Sequence, residues 1–457
     1  MEFSGGQFAL APHSFERTEL PCRESFGSIQ IRHHPRLALN RAESGARELL
    51  LLGHAIDPMQ PEHGSQDLVR RLVDGGTSFA QLESMLADLG GRWLLLARIG
   101  GASRLYPDAG GTKSVFYASD GRVASQPGHF GCPVDHSLSQ YPRAGAWPLG
   151  HTPFAGVHQL LPNHYLDLQQ FRSVRFGPRR VEPTSIEAAS TEIGLILRGT
   201  IAAVLKRGSV ALPLTGGFDS RTLLSAAHEH LAQIQLFSIL DRQTDRHDYV
   251  LPKSLARRAG RPLRFVAPSD IEDVGPNTCG LYQDPNSSRI GAFAQADFVL
   301  LGHLSEILRC FYWKDGEAPA VNADSLSRLA GFGGELSEIF EGWLKGVPAG
   351  SAGEILDLFY WECRVGNWSS VCCTALDGYC EVISPYNCRR LIELGLGLDH
   401  AYRCQPYELH RRLCRPEYGT LPFNTTRLES IEALLPRWVP WRLRLRLRHL
   451  GRPRIRG

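Results

Sequence analysis

The chain of 457 residues is 43% hydrophobic and 21% charged, long enough for two or three ordinary domains and too apolar to be read as disordered. Lys and Arg exceed Asp and Glu by only three, so global charge gives no reason to expect nucleic acid as a partner. The eleven cysteines contain no CxxC pair, which fits reduced, buried thiols better than zinc sites, and the N-terminal Met1-Glu2-Phe3-Ser4 run lacks the features of a signal peptide.

In chain order, residues 1–180 read as β-rich. Apolar runs at 49–52 and 93–97 are short and set between Gly-rich turns, with two short helical patterns between 66 and 89. The Pro-rich stretch 176–183 reads as a linker and sets a domain boundary near 180. A helix is expected from Thr184, capped by Ser185, with Ile186, Ile193, Leu195, Ile196, Ile201, Val204 and Leu205 at helical intervals. Strands at 209–214, 235–240 and 262–266 then alternate with helices at 221–231 and 252–259, the pattern of a parallel sheet covered on both faces. Beyond about 290 the pattern is mainly helical. No stretch approaches eighteen consecutive apolar residues, so no membrane span and a cytoplasmic location are expected.

The chemistry is concentrated where the strand 209–214 runs into Thr215-Gly216-Gly217-Phe218-Asp219-Ser220 and then directly into a helix. Glycines let backbone N–H groups approach an anion, a helix N-terminus adds its positive end, and Thr215 and Ser220 add hydroxyl donors. This is a phosphate cradle without the Walker spacing. Asp219 inside such a cradle calls for a cation, and Mg²⁺ is the expected one.

These residues resemble the SGGxDS pyrophosphate-binding loop of the ATP-pyrophosphatase superfamily, with Thr215 keeping the hydroxyl of the leading Ser. Upstream, residues 91–98, 106–117 and 123–125 resemble later strands of the glutaminase domain of asparagine synthetase B-type enzymes, and 161–168 its closing strand. The resemblance implies an α/β chain. Its parts would be an Ntn-hydrolase-like α+β sandwich over 1–180, then an adenine-nucleotide α-hydrolase-like (PP-loop) parallel-sheet domain with a helical second half over 181–430, then a tail over 431–457. It also implies an ATP- and Mg²⁺-using carbon-nitrogen ligase that adenylates a small-molecule or peptide carboxylate and passes it to ammonia or an amine, with biosynthetic partner proteins as further candidates. By the same resemblance Thr215 to Ser220 bind the nucleotide. Ser238 would lie beside the adenine, and Asp248 near the nucleotide or capping a helix. Asp219 and Glu306 are the metal ligands, and Glu362 and Arg364 the substrate side, unless 358–368 is simply helix core.

Several positions depart from the family pattern. Residue 2 is Glu where these glutaminases carry their nucleophilic cysteine, and the first cysteine, Cys22, follows Pro21, so no glutaminase activity is expected. β-Lactam synthetases, carbapenam synthetases and lasso-peptide cyclases resemble asparagine synthetases that lost this nucleophile, which keeps a lactam or macrolactam product open. The family's GxGxDE-type loop survives only as Gly302 to Arg309, with Ser305 where the first acid would stand; Glu306 is either a metal ligand or an i,i+3 partner of Arg309. The late lysine of relatives is missing, Lys345 being the last, and Arg427 is the nearest substitute. These losses also suit an inactive nucleotide-binding scaffold. The tail from Pro436 holds eight arginines, alternating with leucine over 442–448, and reads as a solvated basic terminus or as a binder of a membrane surface, an acidic peptide or nucleic acid.

Overall fold

The computed structural model describes residues 6–12, 20–132, 147–178, 181–239, 246–266 and 295–421. Among the described residues, twelve strands build the first half: β1 (Phe8–Ala11), β2 (Cys22–Phe26), β3 (Ile29–His33), β4 (Leu39–Ser44), β5 (Arg47–Ile56), β6 (Gly90–Ile99), β7 (Ala102–Pro107), β8 (Phe116–Ala118), β9 (Val123–Ala124), β10 (Val157–Gln159), β11 (His164–Asp167) and β12 (Arg172–Arg175). They form two six-stranded sheets, in the orders β10-β8-β9-β1-β3-β2 and β12-β11-β7-β6-β5-β4. Every strand pair assigned within them is antiparallel.

The unbroken leucine runs follow from burial on both faces. With a side-chain period of two, Leu50, Leu52, Leu94 and Leu96 meet Phe8, Leu10 and Ile31 between the sheets. Leu49, Leu51, Leu95 and Ala97 turn the other way, onto Leu68, Val69, Leu72 and Leu82 of the helices Ser65–Gly75 and Phe79–Leu86. A central strand covered on both sides needs no polar alternation.

The second half centres on a five-stranded parallel sheet of β13 (Val210–Pro213), β14 (Ile234–Ile239), β15 (Arg264–Val266), β16 (Phe298–Leu300) and β17 (Glu381–Ile383), in the order β15-β14-β13-β16-β17. β16 and β17 are two short strands within the mainly helical region expected beyond 290. Each is only three residues long, Phe298-Val299-Leu300 and Glu381-Val382-Ile383, too short to break a helical reading by periodicity. One sheet face, through Val210, Leu212 and Leu236, packs on the helix Ile186–Leu205. The other, through Ala211, Phe237 and Val299, packs on Cys373 and Leu376. Ser185 does cap the helix Ile186–Leu205, accepting from Ala188 N–H, and Ile186, Ile193, Ile196, Ile201 and Val204 are buried. Each such side chain contributes about 1.5–3 kcal/mol. Leu195 instead lies 45% exposed. This helix is long and apolar enough by composition to cross a membrane, and half of its apolar window is buried in the core.

The helical region follows β16. Its helices Ala323–Leu329, Ser337–Lys345 and Ala352–Phe359 close over Phe340, Trp343, Leu356 and Phe359, and a π-helical stretch, Tyr360–Ser369, leads into Ser370–Leu376.

The two halves meet in a polar seam. Arg92, 1% exposed, holds Asp377 through both guanidinium nitrogens and reaches Glu381 at 3.2 Å. Asn387 donates to Gly91 O at 2.6 Å and Asp108 Oδ1 at 2.9 Å and accepts from Gly110 N–H at 2.8 Å, while Trp361 Nε1 donates to Ala109 O at 2.7 Å. Buried polar groups on each side are thus satisfied by the other, which ties the halves into one body.

Candidate active site

From β13 the chain moves to β14 and β15 on one side of the sheet, and later to β16 and β17 on the other. The carboxyl ends of β13 and β16, adjacent and parallel, therefore flank a topological switch point, the place where open α/β sheets bind ligands. Two segments enter that crevice: Thr215 to Ser220 after β13, and Gly302 to Arg309 after β16. Gly302 lets them meet, since a Cβ on it would lie 2.6 Å from Asp219 Cβ.

The loop after β13 is held by its own hydroxyls. Thr215 Oγ1 and Ser220 Oγ are 2.8 Å apart, Thr215 N–H donates to Ser220 Oγ at 3.1 Å, and Gly217 N–H donates to Thr215 Oγ1 at 3.2 Å. These two residues shape the turn rather than waiting as free donors. The helix Phe218–Ala226 begins at Gly217 without a side-chain cap, so its positive end faces the crevice uncapped. Phe218 is 5% exposed and packs among Tyr407, His410 and the guanidinium groups of Arg309 and Arg411, an anchor beneath the loop. Arg221, fully buried, donates to Gly216 O and Leu421 O at 2.7 Å each, and burial pushes its guanidinium down to about 10. It staples the loop to the chain at 421, a role that its position next to the motif did not reveal.

Asp219 is the centre of charge. Ser305 Oγ–H donates to its Oδ1, Arg309 Nη2–H donates to its Oδ2 at 3.0 Å, and Tyr386 OH donates to its backbone carbonyl at 3.4 Å. Glu306 accepts from Tyr360 OH at 2.7 Å and stands 3.8 Å from Arg309. Burial pushes the Asp219 carboxyl up to about 6; Arg309 opposes this and Glu306 adds to it. Burial works against the Arg309 charge, but Asp219 and Glu306 outweigh it and hold the guanidinium above its ordinary range. Asp219 and Glu306 thus come together as expected of a ligand pair, yet the donor set does not fit the Mg²⁺ site anticipated from the sequence. Both Asp219 oxygens are engaged by hydrogen-bond donors, Ser305 replaces an acid, and no group of three His, Cys, Asp or Glu forms a metal site among the described residues.

Other anticipated residues lie elsewhere. Glu362 is fully buried in the seam between the two halves, not beside Asp219: both its oxygens meet Arg175, Asn163 donates to Oε1 at 3.0 Å, and Trp343 Nε1 donates to Oε2 at 2.8 Å. The π-helical i→i+5 geometry spreads neighbouring side chains, sending Tyr360 to Glu306 and Glu362 to Arg175. Arg364 lies over the rings of Phe311 and Trp368. Ser238 is buried in β14 opposite Phe265. The backbone of Asp248 falls in the helix Arg246–Arg258, but its side chain, like Arg427, Glu2 and the arginine tail, lies outside the described residues. A separate polar cavity of about 610 Å³ sits at the opposite, amino ends of the strands, beside His54 and Arg207. Its acids are already engaged, Asp297 by Ser209 and Asp377 and Glu381 by Arg92.

His410 beneath Phe218 offers a test of this packing. It is fully buried, neither ring nitrogen has a hydrogen-bond partner among the described residues, and burial, then the Arg309 charge, hold its pKa well below the ordinary range. Below pH 6.5 the unfolded chain takes up a proton that the folded one refuses, so stability falls as pH drops. The expected slope approaches one proton, about 1.4 kcal/mol per pH unit. His410→Phe should flatten the pH 4–6.5 stability curve followed by circular dichroism; an unchanged curve would contradict this account.

No protein-family model matches the chain, and no curated protein does. Among solved structures, it is similar to the U34-tRNA thiolase NcsA from Methanococcus maripaludis with its [4Fe-4S] cluster, at 16% identity and TM-score 0.23, covering 50% of this chain and 71% of that one. Glutamine phosphoribosylpyrophosphate amidotransferase from B. subtilis, complexed with ADP and GMP, is similar at 11% identity and TM-score 0.24, covering 67% and 71%. A structure described as the allosteric regulatory enzyme of purine biosynthesis follows at 10% identity and TM-score 0.25, covering 59% and 76%. TM-scores this low carry no functional information.

Proposed function

We propose that this chain is an ATP-dependent ligase that activates a carboxylate as its adenylate and transfers the acyl group to ammonia or an amine. The observation that carries the reading is the meeting of Thr215 to Ser220 with Gly302 to Arg309 at the switch point, with an uncapped helix N-terminus and a guanidinium in one crevice. A triphosphate lying across the helix end would have its charge met by backbone N–H groups and Arg309. The substrate carboxylate then attacks the α-phosphorus and pyrophosphate leaves; the nitrogen nucleophile next attacks the acyl carbon and AMP leaves. The protein's part is positioning and charge stabilisation, not covalent chemistry.

The nitrogen is supplied as free ammonia or by the acceptor itself, including an amine within the same substrate. At the head of β1, Gly6 packs so closely on the Asp377 carboxylate that no Cβ would fit, and Arg92 locks that carboxylate in place. This contact supports a first half that buttresses the second.

The test is hydroxamate trapping. Purified protein, ATP with Mg²⁺, hydroxylamine and a filtered small-molecule extract should yield AMP, pyrophosphate and a hydroxamate, with Asp219→Ala at least about 100-fold slower, the loss usual for one electrostatic group in a site. Release of ADP and phosphate would assign a different reaction, and ATP binding without turnover across the extract fractions would favour a scaffold.

A further inference from the structure

We propose that Arg309 is the built-in cation of this site, standing between Asp219 and Glu306 in place of a bound divalent ion and turning its free donors to the triphosphate. The proposal rests on the nucleotide reading above. Its starting point is charge: two carboxylates converge at the mouth of an anion site, and each negative charge beside a triphosphate must be offset. Arg309 Nη2 lies 3.0 Å from Asp219 and 3.8 Å from Glu306, so one guanidinium serves both.

The surrounding residues fit this assignment. Ser305 donates a hydrogen bond to Asp219 where an acid would instead have added a metal ligand. The Arg309 guanidinium lies 5.9 Å from the Phe218 ring and 5.8 Å from the Tyr407 ring, close enough for both to hold it by cation–π attraction. Its Nε–H is buried, and Nη2 is the nitrogen hydrogen-bonded among the described residues, so the donors left to face a ligand are those of Nη1 while Nη2 stays on Asp219. Side-chain exposures of 18% for Arg309, 27% for Asp219 and 33% for Glu306 leave the cluster within reach of a ligand. A planar guanidinium binds phosphate oxygens through two parallel N–H bonds, which a lysine or a hydrated ion does not reproduce.

The experiment measures ATP binding by isothermal titration, once with EDTA and once with Mg²⁺, and Mn²⁺ binding to the nucleotide-free protein by electron paramagnetic resonance. Wild type should bind ATP in EDTA within about 10-fold of its affinity in Mg²⁺ and hold no tight Mn²⁺. Arg309→Met should lose about 30-fold or more of its EDTA affinity, the scale of a charged hydrogen-bonded contact, and gain an Asp219-dependent Mn²⁺ site. Arg309→Lys, which keeps the charge, should recover part of the affinity and shows whether the methionine variant failed only by unfolding. If wild type binds ATP solely with Mg²⁺, or already holds Mn²⁺ on Asp219, the proposal is overturned while the nucleotide site stands. Binding of ATP in neither buffer overturns both.

Discussion

Arg92→Met is expected to destabilise the protein by about 3–5 kcal/mol, read as a lowered denaturant midpoint, because it leaves buried carboxylates without their counter-charge. Arg92 and Asp377 are 1% and 2% exposed, and Glu381, shared with Arg92, is 18% exposed. Lys113, 3.8 Å from Glu381, is too far to replace the lost hydrogen bonds. The matched control is Arg390→Met, whose partner Glu192 lies across a pair that is 47% and 31% exposed. Solvent screens such a pair, so its loss should cost less than about 1 kcal/mol. Equal effects of the two substitutions would show that the seam between the halves is not a stability element.

Gly302→Val should remove nucleotide binding by about 100-fold or more with only a modest loss of stability, in the 1–3 kcal/mol range of overpacking. The reason is local. A Cβ at 302 lies 2.6 Å from Asp219 Cβ and 3.5 Å from its backbone, so the segment after β16 and the helix after β13 have to separate. Separation pulls Ser305 and Arg309 off Asp219 and opens the crevice. Gly333→Ala, with nothing within 4 Å of the added carbon, is the control that should change neither property. Nucleotide affinity by calorimetry beside a thermal melt separates the two effects, and a Gly302→Val protein that binds ATP normally would remove the crevice from the site.

Much of the second half was legible along the chain because its signals are local. Ser185 before an apolar-periodic run placed a helix, and three strands at regular spacing placed one side of the parallel sheet. The strand, double glycine and helix at 213–218 marked the loop that enters the crevice, since backbone freedom and a helix end are properties of adjacent residues. β16 escaped notice because three apolar residues have no period to read. Yet Phe298-Val299-Leu300 followed by Gly302 repeats the strand-to-glycine signal of the loop at 213–217, and could have been found by that analogy.

What the sequence by itself determined, then, is what contiguous residues dictate: β-rich first half, α/β second half, and a strand-glycine-helix loop centred on Asp219. Which groups share a site was decided by tertiary structure. Ser305 and Arg309 lie 86 and 90 residues from Asp219, and only the crossover that sets β16 beside β13 brings them onto its carboxylate. The same holds for Glu362, which in sequence looks like a substrate-side acid and in space joins Arg175 across 187 residues. A carboxylate's role is set by the charges within a few ångströms of it, and those neighbours come from the packing of strands and helices far apart in the chain.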